Sequence, residues 1–248
     1  MTHIAIVGSG LIGRAWATVF ASHGCSVALH DVAPGAAVAA RAHIGTNLEE
    51  LAGHGLVEDP KGSLARIRVA RDLADVLTGA DLVQENGPET VAAKQQLFAE
   101  MDALCPPSTI LASSTSFIMA SVFSETLAGR SRCLVAHPVN PPHLVPIVEL
   151  APAPWTDPAV VERAKAIYEQ AGQVPIVLRK EKPGFVLNRL QAVLLAEAFR
   201  IVGEGVASAE DVDKTIRDGL GLRWSFMGPF ETIELNAPGG IPDYCARY

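Results

Sequence analysis

The chain has 248 residues, 49% apolar and 19% charged, with 20 Lys and Arg against 27 Asp and Glu for a net charge of -7. This is enough apolar material and length for a main domain with a core and a smaller second one. The acidic balance and the lack of any basic run speak against nucleic acid and anionic membrane as partners, and no apolar stretch reaches the roughly 18 residues that a membrane span needs.

From the N-terminus, short apolar runs alternate with helical stretches. Residues 1–8 have no basic n-region and lead straight into a strand, so no cleaved signal is expected and the expected address is cytoplasmic. Strands are expected at 4–7, 26–29, 81–84, 109–112 and 133–136, with helices at 11–22, 34–51 and 72–77 between them. This order implies a parallel sheet covered on both faces, the doubly wound α/β pattern. After Glu149 the texture changes. Asp157-Pro158 starts a helix, 174–178 reads as a strand, and Lys182-Pro183-Gly184 breaks the chain before a long apolar run at 185–202. That run is apolar nearly all round, which predicts a helix buried in a packed all-helical domain or a dimer interface. Ser208, with Asp211 three residues on, resembles the cap of a further helix ending near Gly219. The expected organisation is a nucleotide-binding domain over 1–182 and a helical domain over 183–248. Cys25, Cys105, Cys133 and Cys245 are widely separated, with no C-x-x-C pair and no His at metal-ligand spacing. They read as reduced thiols, three of them in the core, and no metal is expected.

Gly8-Ser9-Gly10-Leu11-Ile12-Gly13 is a G-x-G-x-x-G stretch. It follows a strand, opens a helix and precedes a second strand that ends at Asp31, 18 residues beyond Gly13. Gly8 allows the tight turn, Gly10 lets a pyrophosphate approach the backbone, and Gly13 lets helix and strand pack closely. Asp31 suits the adenine ribose hydroxyls and repels a 2'-phosphate, which favours NAD over NADP. FAD, or a glycine turn serving only packing, is the competing reading.

Oxidising an alcohol needs a base for the hydroxyl proton and a partner that fixes the base's tautomer. His137 closes one strand-like run and Glu149 follows the Pro-rich stretch 138–146, which can fold the two together. Taken alone, either of these, like any of the seven His residues, also fits an ordinary structural role, and Glu89 with Lys94 reads as a solvated helix pair.

Five segments, in order, resemble the 3-hydroxyacyl-CoA dehydrogenase superfamily: Ser113-Ser114-Thr115-Ser116, His137-Pro138-Val139-Asn140-Pro141, Val148-Glu149-Leu150, Pro183-Gly184-Phe185-Val186-Leu187-Asn188-Arg189 and Met227-Gly228-Pro229-Phe230-Glu231. The first Pro-rich stretch and Gly219-Leu220-Gly221-Leu222-Arg223-Trp224 are most similar to its lambda-crystallin, or L-gulonate 3-dehydrogenase, branch. The resemblance implies a Rossmann-type domain with a smaller all-helical C-terminal domain, NAD as cofactor and a homodimer. It implies that His137 is the catalytic base and Glu149 its orienting carboxylate. Ser116 and Asn188 match the groups that bind the reacting oxygen, and Asn140 matches a supporting position. Leu11, Ile12 and Asp31 match first-turn cofactor contacts, while Glu89 and Lys94 match contacts on the nicotinamide side.

Arg223 stands where acyl-CoA members have small or apolar residues, and suits a free substrate carboxylate. The expected substrate is therefore a small 3-hydroxy acid, with acyl-CoA, L-carnitine or a non-catalytic crystallin-like role as alternatives. Two departures stand out. The chain ends at Tyr248, where similar members continue for several helices, and Asn86-Gly87-Pro88 replaces a commoner apolar or Cys-containing stretch.

Overall fold

The computed structural model describes residues 1–247. These fall into two compact units, Met1–Val186 and Leu187–Tyr248.

The first unit runs β1 (His3–Val7), α1 (Leu11–Ser22), β2 (Ser26–His30), α2 (Ala36–Gly53), α3 (Pro60–Ala65), β3 (Ile67–Val69), α4 (Leu73–Leu77), β4 (Leu82–Glu85), α5 (Val91–Leu104), β5 (Ile110–Ser113), α6 (Ala120–Ser124), β6 (Cys133–Pro138), β7 (Ile147–Pro152), α7 (Pro158–Gln170) and β8 (Val174–Val177). Among the described residues the strands form one sheet in the order β3-β2-β1-β4-β5-β6-β7-β8. Strand order reverses between β1 and β4, which opens a crevice beyond their C-terminal ends. The glycine turn leaves β1 at that point, and Asn86 leaves β4 beside it.

Neighbouring strands are parallel except β6 and β7, which run antiparallel. A wholly parallel sheet, as the alternating pattern suggests, is thus corrected here. The connection over 139–146 is shorter than the dozen or so residues that a parallel crossover requires, so the chain must turn back. Two strands are also not evident from the sequence. Only three residues form β3, and Glu149 interrupts the apolar run of β7.

Both faces of the sheet are covered, which explains why the strands read as nearly continuous apolar runs. Ile4 and Ile6 face a core with Trp16, Phe20, Ile44 and Leu48, while Ala5 and Val7 face a second with Phe98, Met101 and Phe123. Each such large side chain, fully buried, contributes about 1.5–3 kcal/mol. A polar string runs from the first core to the crevice. The Tyr168 hydroxyl donates to Gln84 Oε1, and Gln84 Nε2 donates to Ser114 Oγ at 2.7 Å. Trp16 Nε1 donates to the same Oγ at 3.1 Å, and Ser114 passes its own proton to Asn86 Oδ1 at 2.7 Å. The end of β4 is thereby fixed from below.

The caps read from the sequence form: Asp157 accepts from Ala159 N and Ser208 from Asp211 N. Asp72, expected as the first residue of a helix, stands outside it as its cap and accepts from Asp75 N. Cys25, Cys105 and Cys133 are buried free thiols, and Cys245 is exposed. Burial pushes Cys105 up to about 11 and Cys133 up to about 12, so neither is a ready thiolate.

The second unit is helical: α8 (Leu187–Gly203), α9 (Ala209–Lys214), a π-helical turn (Thr215–Leu220), α10 (Gly221–Trp224), α11 (Pro229–Asn236) and α12 (Gly240–Arg247). The long apolar run does form a helix from Leu187 on, but no residue of that helix is buried within the single chain, and Val193 and Phe199 remain about 70% exposed. The later helices have at most eight residues each and are too short to cover it. Among the described residues no helix is long and apolar enough to cross a membrane.

Candidate active site

The crevice at the ends of β1 and β4 has the features a dinucleotide requires. Gly8 takes a left-handed φ of 91°, and a Cβ there would meet Asn86 O at 2.7 Å. A Cβ on Gly13 would stand 1.9 Å from Gly8 O, so only glycine lets α1 pack against the turn. Gly10 is different: a Cβ there meets nothing within 4 Å, which leaves open space against bare backbone. No side chain caps α1 and its first turn carries no acid, so its amides and positive dipole end remain available to phosphate. Beside the turn lies a cleft of about 680 Å3 lined by Gly10, Asp31, Val32, Leu73, Pro88 and Leu97 among others. Asp31 accepts from Ser9 N at 2.7 Å, Ser9 Oγ at 2.9 Å and Ala33 N at 2.9 Å. Partial burial opposes ionisation of Asp31, but these hydrogen bonds and the nearby His30 outweigh it and hold the carboxyl below its ordinary range. The residues therefore fit NAD, with a carboxylate at the ribose end.

The second cluster follows from the antiparallel register of β6 and β7, in which His137 stands directly across from Glu149. Facing residues on such a pair have Cβ atoms about 5 Å apart, within reach of a side-chain bond. His137 Nδ1 lies 2.7 Å from Glu149 Oε2, and the carboxylate is fully buried. A carboxylate can only accept, so Nδ1 is the nitrogen that carries a proton toward Glu149, and in the neutral imidazole the lone pair falls on Nε2. The other carboxylate oxygen, Oε1, accepts from Val186 N at 2.8 Å. Phe185, buried and at a left-handed φ of 50°, tilts its ring against the imidazole at 5.4 Å. A non-glycine residue in that region is strained, and here the strain sets the wall of the base.

A third cluster lies at the end of β4. Lys94, which by sequence pattern alone is half of a solvated pair, is only 1% exposed. Its Nζ donates to both oxygens of the fully buried Glu85, at 3.1 and 3.0 Å, and lies 3.5 Å from Glu89. Glu85 also accepts from Ser113 Oγ at 2.6 Å and Gly87 N at 2.6 Å. Glu89 in turn accepts from Thr115 Oγ1 at 2.5 Å and Ser116 N at 3.0 Å. Ser116, exposed at the end of β5, is thus tied through Glu89 and Lys94 to a carboxylate inside the sheet. Asn188 is half-buried in the first turn of α8, and Arg223 is exposed in α10, both in the second unit. Arg223 forms no ion pair among the described residues.

Sequence reading gives no role to Glu85, Ser113, Phe185 or Val186, although the last three lie in segments that carry the family resemblance. The available signal is Gln84-Glu85 closing a short strand that opens Leu82-Val83, a costly placement for polar groups that implies buried partners.

This architecture, with a glycine turn at the switch point and an acid at the end of β2, defines a Rossmann-type NAD-binding protein with a helical second unit. The model of the 3-hydroxyacyl-CoA dehydrogenase NAD binding domain matches residues 3–182, and that of the C-terminal domain of the same enzymes matches residues 184–248. The chain belongs to the 3-hydroxyacyl-CoA dehydrogenase family, whose members are NAD-dependent oxidoreductases of CH-OH groups. It is 45% identical to the lambda-crystallin homolog of Bos taurus over 99% of this chain and 77% of that protein. It is 40% identical to the L-carnitine dehydrogenase of Pseudomonas putida over 93% of this chain and 71% of that protein. A solved 5-formyl-3-hydroxy-2-methylpyridine 4-carboxylic acid 5-dehydrogenase, an NAD+-dependent dismutase, superposes with a TM-score of 0.88 at 32% identity. That match covers 100% of this chain and 79% of the other.

The glycines separate two effects. Gly13→Ala should cost about 1–3 kcal/mol of stability, because backbone must move to admit the methyl. Gly10→Ala should melt as the wild type does but lose NAD affinity, and thermal melts with NAD titrations read both. Lys94→Met should lose about 3–5 kcal/mol by leaving Glu85 buried and unpaired, and adding Glu85→Gln should restore part of it in chemical denaturation.

Proposed function

We propose that the protein oxidises the 3-hydroxyl of a small free 3-hydroxy acid of the L-gulonate type to the 3-keto acid, with NAD as the oxidant. The observation that carries this is the His137–Glu149 pair, an imidazole held in one tautomer by a buried carboxylate. His137 Nε2 takes the hydroxyl proton, and Glu149 stabilises the imidazolium that results. Ser116 and Asn188 bond the reacting oxygen as it gains carbonyl character. The nicotinamide, when bound, supplies the hydride acceptor. The amides of Leu11 and Ile12, with the Gly8, Gly10 and Gly13 turn, hold the phosphates, and Asp31 holds the adenine ribose. Glu89 and Lys94 serve the nicotinamide side, Lys94 through the charge it places beside Glu89.

The free acid is favoured over a CoA thioester because Arg66 and Arg68, at the end of α3 and in β3, are already engaged, which leaves Lys61 as the unpaired cation on α3 among the described residues. Arg68 pairs with Asp75, and Arg66 donates to the Ala21 carbonyl. Arg223 is the group proposed to receive the carboxylate. Two relatives bear on the choice, since the named substrates of the Pseudomonas putida enzyme and of the solved dismutase are free carboxylic acids. The exposed apolar side of α8 suits a second copy of the chain, in keeping with a homodimer. A cytoplasmic enzyme remains the reading of address.

The reading is tested by following NADH formation with L-gulonate, L-carnitine, 3-hydroxybutyrate and 3-hydroxybutyryl-CoA. Turnover of a free acid is expected, and His137→Ala should lower its kcat by about 10²–10⁴ while leaving NAD affinity unchanged. Turnover of the CoA thioester alone would sink the free-acid assignment. Arg223→Met should raise KM for the acid at least about tenfold, the weight of one charge-assisted hydrogen bond, with little change in KM for NAD.

A further inference from the structure

The charges around Lys94 do not balance. One ammonium faces two carboxylates, Glu85 at 3.0 Å and Glu89 at 3.5 Å, which leaves one formal negative charge on the cluster. Among the described residues no other Lys or Arg pairs with either acid. Glu85 and Lys94 are sealed from solvent, while Glu89 is half exposed.

This excess charge stands against the cofactor crevice. The Gly87 amide donates to Glu85 Oε1 at 2.6 Å, and Gly87 itself lines the cleft, so the buried carboxylate is one hydrogen bond behind the cleft wall. On the far side Glu89 accepts from the Ser116 amide at 3.0 Å. A dinucleotide lying across the reversal of strand order, with its adenine ribose at Asp31 beyond β2, directs its other half toward the ends of β4 and β5. A field that crosses packed protein is screened far less than one that crosses water.

An oxidised nicotinamide ring carries one positive charge. Hydride transfer brings it a hydrogen nucleus and two electrons from the alcohol carbon, the hydroxyl proton passes to His137, and the ring becomes neutral. The remaining charges of the dinucleotide are unchanged. A fixed negative charge behind the cleft wall therefore attracts the oxidised ring and is indifferent to the reduced one.

We propose that the unbalanced Glu85–Lys94–Glu89 cluster biases the site toward NAD+ relative to NADH, with Glu85 acting through its field alone. This role rests on the nicotinamide placement proposed above and adds control of the cofactor's redox state to it. The hold on the cofactor weakens as the ring loses its charge, which favours release of NADH.

The test is the Kd of NAD+ and of NADH, by calorimetry and NADH fluorescence, in the wild type, Glu85→Gln, Glu89→Gln, the double variant and Asp31→Asn. Either single variant leaves the cluster neutral, and the double variant leaves it positive. The ratio of the NAD+ Kd to the NADH Kd should rise about tenfold in each single variant and further in the double variant. In Asp31→Asn both constants should rise together, with the ratio within about twofold, because the charge removed there lies at the adenine end. Glu89 is at the surface, so Glu89→Gln carries the test even if Glu85→Gln fails to fold. A ratio unchanged in Glu89→Gln, or unchanged in folded Glu85→Gln, overturns the proposal, as does an equal rise in Asp31→Asn. A parallel weakening of both constants in Glu89→Gln keeps the nicotinamide placement and overturns the bias. No change in either constant overturns both. Binding alone is read, so a failure to turn over any hydroxy acid defeats the dehydrogenase reading and leaves the measured bias standing.

Discussion

The chemistry of this site depends on one reversal of chain direction. Because β7 runs antiparallel to β6, His137 and Glu149 face each other across a ladder, and a residue-for-residue register fixes their separation. A parallel partner would have demanded a crossover helix and would have carried Glu149 away from the imidazole. The spacing of twelve residues is therefore the arithmetic of a hairpin: a short connection with an equal run of strand on either side. Slipping the register by one residue would turn Glu149 to the other face of the sheet and leave an acid buried in hydrocarbon.

The same economy of placement recurs one strand away. Glu85 is buried at the tip of β4, and Lys94 reaches back from α5 to neutralise it. Glu89 is drawn to the same ammonium and spends its remaining capacity on Thr115 and the amide of Ser116. A positive charge inside the protein is thereby used to order a loop at its surface. The two carboxylates, Glu149 and Glu85, share a logic. Each is removed from water, each is satisfied at both oxygens, and each has as its cationic or ionisable partner a group that stands close to where substrate and cofactor are proposed to meet.

Much of the fold is legible because the strands carry both cores and so read as apolar runs, and because Gly8, Gly10, Gly13 and Asp31 mark the turn through steric needs that hardly any other residue meets. The reversal at β7 is not legible by pattern, since Glu149 breaks the apolar run that would have announced the strand. Lys94 misleads for a related reason: on a helix with little amphipathic contrast, nothing local distinguishes a buried lysine from a solvated one, and its partner is nine residues away on a strand. The exposed flank of α8 shows a different limit. Apolar residues all round a helix announce that it must be covered, but not that the covering lies within the same chain.

Glu149 owes its second hydrogen bond to Val186, the last residue of the first unit. The stretch through Gly184 and Phe185 is therefore an integral part of the setting of the proposed base, although by position it is a linker. A nucleotide-binding module recombined among enzymes by a join at residue 182 would inherit the cofactor crevice intact. It would leave behind both the ring that packs the imidazole and the amide that completes the carboxylate. A join at residue 182 would thus keep the glycine turn and Asp31 together but separate the His137–Glu149 pair from Phe185 and Val186, two residues that a boundary drawn at the Pro-Gly break would assign to the other side.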